Sequence, residues 1–165
     1  MHEKTRAFTT SYKKLSNVLS NEVIITKACS PSSNSKPLSL KDYDHKRYNA
    51  IWDTGATGSV ITKKIVQEFN LKPVGMVEVH TAGGTKIANT YLVNIWLPNR
   101  VVFYNLKVME GKLSGQYEVL IGMDIISKGD FAITNYNNRT VFTFRIPSIE
   151  CIDFVKILIS KKQLK

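Results

Sequence analysis

The sequence predicts an all-β domain interrupted by one short helix, and three observations carry that reading. From Tyr48 onward, short apolar runs alternate with turn residues; a helical spacing of apolar positions is confined to Ile61–Phe69; and no internal repeat doubles the pattern into two lobes.

The strands expected from the apolar runs are Ala50–Trp52, Val77–His80, Tyr91–Leu97, Val101–Met109, Val119–Ile121, Phe131–Thr134 and Val141–Phe144. The helix follows from Ile61, Ile65, Val66 and Phe69, which share one face, with Asn70 near its end. A second short helical turn is expected after Gly122, through Asp124 to Ser127. Upstream, the β-branched run Val23–Thr26 reads as a strand, and Ser30 to Pro37 is rich in Ser, Pro and Asn, a plain loop signal. The chain therefore divides into an N-terminal extension over 1–47 with one or two strands, a domain over 48–147, and a C-terminal tail over 148–165.

A chain of 165 residues can bury a core without disulfide staples. With 43% hydrophobic and 22% charged residues its composition is that of a globular domain, which excludes a fibre and wholesale disorder. The formal net charge of +10 could attract nucleic acid, an anionic membrane or acidic protein. No regular stripe of basic and aromatic residues accompanies it, so it reads first as a solvated surface. Cys29 and Cys151 stand apart, without the clustered His and Cys of a zinc site, and read as free thiols. The first residues lack the apolar core of a secretory signal, and the apolar stretch Ile149–Ile159 is interrupted by charges. A cytoplasmic protein with no membrane anchor is the expectation.

One segment points to chemistry. Asp53-Thr54-Gly55-Ala56-Thr57-Gly58-Ser59 lies between the strand Ala50–Trp52 and the helical stretch. Taken alone, it is either a tight turn whose Asp caps the helix or a loop that presents an acid. Downstream, Val119-Leu120-Ile121-Gly122 ends a buried strand in a glycine, which a close backbone crossing would require. Between them Val77 to Ile87 reads as strand, glycine turn, strand, with Gly83 and Gly84 at the turn.

In this order the three elements resemble the retropepsin-like aspartic proteases, bacterial single-lobe members included, over about Tyr48 to Pro147. The resemblance implies a retropepsin-like acid-protease lobe that is active as a two-fold homodimer. It assigns Asp53 as the catalytic residue and Thr54, Gly55 and Ala56 as the rest of the active-site loop. Thr81, Ala82, Gly83 and Gly84 fall in the flap that covers substrate, and Ile121 and Gly122 in the supporting loop. Val60 would border the same cleft, and Asp124 would be structural. Two like charges cannot both ionise cheaply at close range, so the paired Asp53 residues would share one proton and activate a water against an extended polypeptide. No metal or organic cofactor is implied. The alternatives are a catalytically silent peptide-binding module of the same fold and, less well supported, a basic nucleic-acid-associated protein.

Overall fold

The computed structural model describes residues 4–29, 40–81 and 84–163. The loop read at Ser30 to Pro37 lies outside them.

Burial alternates along some strands, as in Val141–Ile146, and is continuous along others, as in Val119–Ile121, and two sheets result. The smaller has three strands, β1 (Arg6–Ser11), β10 (Val141–Ile146) and β9 (Asp130–Thr134), in that order and antiparallel. The larger has seven strands. They are β2 (Ser20–Lys27), β3 (His45–Trp52), β4 (Val60–Thr62), β5 (Gly75–Thr81), β6 (Gly84–Trp96), β7 (Val102–Gly111) and β8 (Val119–Ile121). Their order is β2-β3-β8-β4-β7-β6-β5, and an added β2–β6 pairing closes all but β5 into a ring. Val23, Ile25, Val93, Ile95, Val108 and Val119 point inward and are essentially inaccessible. Burying side chains of this kind drives the closure at about 25 cal/mol per Å² of apolar surface.

Strands β1 and β2 both fall within the stretch 1–47. They are built into the two sheets: β1 forms an edge of the small sheet, and β2 pairs with β3 along seven positions from Ser20↔Ile51 to Thr26↔His45.

Among the described residues the strands are accompanied by three α-helices. Helix α1 (Lys63–Glu68) begins later than the spacing of apolar residues predicts, because Ile61 and Thr62 belong to β4, held between β7 and β8. Ile65 and Phe69 are buried as expected, and Asn70 ends the helix at a positive φ of 46°. Helix α2 (Met123–Ile126) follows Gly122. Helix α3 (Phe154–Gln163) occupies the stretch read as a tail. Asp153 starts it, its carboxylate accepting from the N–H groups of Val155 and Lys156 at 2.9 and 3.1 Å. None of the described helices is long and apolar enough to cross a membrane.

The two sheets meet around one side chain. Trp52, the last residue of β3, stacks on Phe131 of β9 at 5.6 Å and 9° and contacts Phe8, Phe142 and Phe144 at centroid distances of 5.6, 5.8 and 5.3 Å. Its indole N–H is not sacrificed to this packing, since it donates to Asn21 Oδ1 at 3.0 Å.

Beyond β10 the chain is tied back by Asp130. Its carboxylate accepts from Ile149 N–H at 3.0 Å, from the Ser148 hydroxyl, and from Arg145 Nε at 2.6 Å. These bonds, the backbone one foremost, hold the Asp130 carboxyl well below the usual carboxylate range. A depressed folded-state pKa stabilises the protein above the ordinary value near 4 and ceases to do so as pH falls toward the folded value. Asp130→Asn is therefore expected to lower the melting temperature at pH 7, and the gap from wild type should narrow steadily below about pH 4. A gap independent of pH, read by thermal melts across that range, would contradict this role.

Candidate active site

The loop 53–59 leaves β3 at Trp52 and re-enters the sheet at Val60. Its two ends are fixed by backbone bonds. Trp52 N–H donates to Leu19 C=O at 2.9 Å, Asp53 N–H to Ile121 C=O at 3.0 Å, and Met109 N–H to Ser59 C=O at 3.0 Å. The parallel register Trp52↔Ile121 thus carries directly into the loop.

Within the loop, Asp53 is half-buried and its Oδ1 accepts the Gly55 N–H at 2.8 Å. No other hydrogen bond to this carboxylate comes from the described residues, so the second oxygen remains open to a ligand. A Cβ at position 55 would stand 3.1 Å from Asp53 Oδ1, so glycine leaves the carboxylate room. Thr54 is exposed, and Ala56 turns inward, its N–H bonded to Asp53 C=O at 3.3 Å and its C=O accepting from Met123 N–H at 2.8 Å.

Behind the loop the chain crosses itself at Gly122. A Cβ there would lie 2.7 Å from both the carbonyl carbon and oxygen of Gly58 and 3.0 Å from Ala56 O. No side chain fits against backbone at that distance, which is the physical reason for glycine. Ile121 and Gly122 are therefore brought against Asp53, Ala56 and Gly58.

The crossing is held by a buried clamp that the sequence reading did not identify. Ser59 is 1% exposed. Its hydroxyl donates to Asp124 Oδ1 at 2.8 Å and accepts the Gly122 N–H at 3.1 Å, while its own N–H donates to Asp124 Oδ2 at 2.9 Å. The Asp124 carboxylate also accepts from Ile125 N–H at 3.0 Å. Asp124 is thus committed to structure, with both of its oxygens engaged. The available signal was a Ser closing a glycine-rich loop together with a lone acid inside the apolar run Val119–Ile126.

The hairpin read as a flap is present as β5 and β6, paired from Gly75↔Thr90 to Thr81↔Gly84. Ala82 and Gly83 lie outside the described residues, and Gly84 has a φ of +105°, a conformation for which glycine is suited. The hairpin connects to the loop through the β6–β7 ladder and the bond from Met109 to Ser59. Val60 stands at the loop's exit, against the position where a Cβ of Gly111 would be. Among the described residues no group of His, Cys, Asp and Glu is arranged to hold a metal ion.

Residues 42–128 match the family described as "gag-polyprotein putative aspartyl protease". No curated protein matches the chain. Among solved structures, a retropepsin-like aspartic protease from Rickettsia conorii is similar at 14% identity and a TM-score of 0.49, covering 88% of this chain and 98% of its own. EIAV protease in complex with an inhibitor is similar at 18% identity and a TM-score of 0.45, over 70% of this chain and 90% of its own. The protease of Simian Foamy Virus (mac) shares 18% identity at a TM-score of 0.37, over 49% and 81%.

Removing the Ser59 hydroxyl should orphan the buried Gly122 N–H and take one of the two bonds from Asp124 Oδ1, which keeps that from Ile125 N–H. Ser59→Ala is expected to cost about 1–3 kcal/mol in urea unfolding, and Gly122→Ala, which drives a methyl group into Gly58, should cost at least as much. An unchanged unfolding midpoint in both variants would mean that the crossing does not hold the loop.

Proposed function

We propose that this chain, which belongs to the family described as gag-polyprotein putative aspartyl protease, is an aspartic endopeptidase whose active site is completed by a second copy of itself. The observation that carries this reading is the difference between two acids at one crossing. Asp53 keeps an open carboxylate oxygen on a tightly held loop, whereas Asp124 spends both of its oxygens on Ser59 and Ile125. One chain offers half of an acid pair, and a two-fold axis beside the loop supplies the other half.

In that dimer the two Asp53 carboxyls share one proton, since adjacent like charges repel. The ionised carboxylate takes a proton from a water held between them as the water oxygen bonds to the scissile carbonyl carbon. The protonated carboxyl donates to the carbonyl oxygen. The tetrahedral diol then collapses: the carboxyl that took the water's proton gives it to the departing nitrogen, the other carboxylate takes a proton from one hydroxyl, and the C–N bond breaks, which restores the starting pair. No bond between enzyme and substrate forms. The edge strand β9 lies beneath the loop through the Phe131–Trp52 stack, and its open side suits pairing with a second copy. The hairpin β5–β6 is the element placed to close over an extended polypeptide, pairing backbone to backbone.

The test is cleavage of a diverse peptide mixture from about pH 4 to 7 by wild type and Asp53→Asn, at several protein concentrations. Activity is expected to rise faster than linearly with wild-type concentration and to fall by at least about a thousandfold in the variant. Peptide binding without cleavage by a stable wild-type dimer would replace this reading with a silent peptide-binding module.

A further inference from the structure

Away from the loop, a groove of about 340 Å³ lies between the small sheet and the turn that joins β6 to β7. Among the described residues it is lined by three cations, Lys4, Arg6 and Arg100, and by no acid. Its remaining surface is largely apolar: Val101 and Val102 on one wall, Ile146 and Pro147 on the other, with Tyr104 adding a ring that is 37% exposed. None of the loop residues 53–59 lines it.

Two features make this more than a scatter of surface lysines. First, its walls are bolted together. Arg6 donates from its guanidinium to Arg100 C=O at 2.9 Å, and Asn99 Nδ2 returns a bond to Arg6 C=O at 3.2 Å. The turn is closed by Leu97 N–H to Val101 C=O and Arg100 N–H to Leu97 C=O, both 2.9 Å, with Arg100 itself at a φ of 63°. The concavity is thus formed before any ligand arrives, which lowers the entropic cost of binding. Second, the charge of these cations is unpaired among the described residues. Among the described residues Lys4, Arg6 and Arg100 take part in no ion pair, although six other pairs are formed across the surface.

We propose that this groove binds an acidic segment of a polypeptide, with carboxylates on Lys4, Arg6 and Arg100 and an aliphatic side chain against Val101, Val102, Ile146 and Pro147. Charge complementarity selects an anion. The apolar walls select a peptide over a nucleic acid, because a sugar-phosphate strand would use the cations and leave that surface uncovered. The volume is within the range of sites that take small ligands, and suits a few side chains rather than a folded domain. The site stands whether or not Asp53 cleaves peptides. If it does, the groove gives the protease a second hold on substrates that carry acidic residues away from the scissile bond.

The experiment uses the full-length Asp53→Asn chain, so that cleavage cannot remove the probe. Binding of a fluorescein-labelled peptide of alternating Glu and Leu is followed by anisotropy, beside a Lys and Leu peptide and a single-stranded oligonucleotide of equal charge. The acidic peptide is expected to bind, and Lys4→Glu with Arg100→Asn to weaken it at least about tenfold. Asn tolerates the positive φ at position 100, and a retained melting temperature establishes that the variant is folded. Lys72→Glu, a charge reversal at an exposed residue outside the groove, should leave the affinity within about twofold. Equal loss from Lys72→Glu would reduce the effect to general attraction by a basic protein and overturn the proposal. So would unchanged binding in the groove variant, or tighter binding of the oligonucleotide through the same residues. Because the readout is binding by an inactive chain, its failure leaves the protease reading untouched, and failure of cleavage leaves this site untouched.

Discussion

The backbone crossing at Gly122 is the constraint on which the rest of the site depends. With a virtual Cβ only 2.7 Å from Gly58, the strand from Val119 can run behind the loop only as glycine. That contact brings the Gly122 N–H to Ser59 and places Asp124 where it accepts from both the hydroxyl and the N–H of the same serine. The buried polar groups of this clamp are tolerated because each has its partner. The consequence is a loop whose shape is set by hydrogen bonds beneath it, leaving Asp53 free on the upper side.

The same loop is anchored from its other end by packing. Trp52 precedes Asp53, and its indole is enclosed by rings from β1, β9 and β10. The small sheet is therefore more than a closing strap: a loss of packing at Phe131 or Phe142 would be felt one residue from the Asp53 carboxylate. Close-packed interiors transmit such changes because they have no slack to absorb them.

The fold class was legible in the sequence because short apolar and β-branched runs, set apart by turn residues, mark most of the strands without reference to distant contacts. The loop around Asp53, the glycine at 122 and the hairpin from Val77 to Ile87 were legible for a different reason, as small residues in places where backbone must turn or cross. Other features were not. The start of α1 is set by the pairing of Ile61 with β7 and β8, which no local pattern reveals. The Ser59–Asp124 clamp joins residues 65 positions apart, each unremarkable alone. Strand β1 has an ordinary polar composition and owes its place to the register Arg6↔Ile146 through Ser11↔Val141 with β10. The basic groove likewise assembles Lys4, Arg100 and Pro147 from three distant stretches.

The account turns on each chain carrying half of a reactive acid pair, and mixing chains tests that most directly. Inactive Asp53→Asn protein is added in rising excess to a fixed, low amount of wild type, and peptide cleavage is followed after exchange of subunits. If the site is shared, mixed pairs are dead and activity falls toward zero as the variant accumulates. Activity that stays constant under a large excess of the variant would mean that one chain holds a complete site, contradicting the account at its centre.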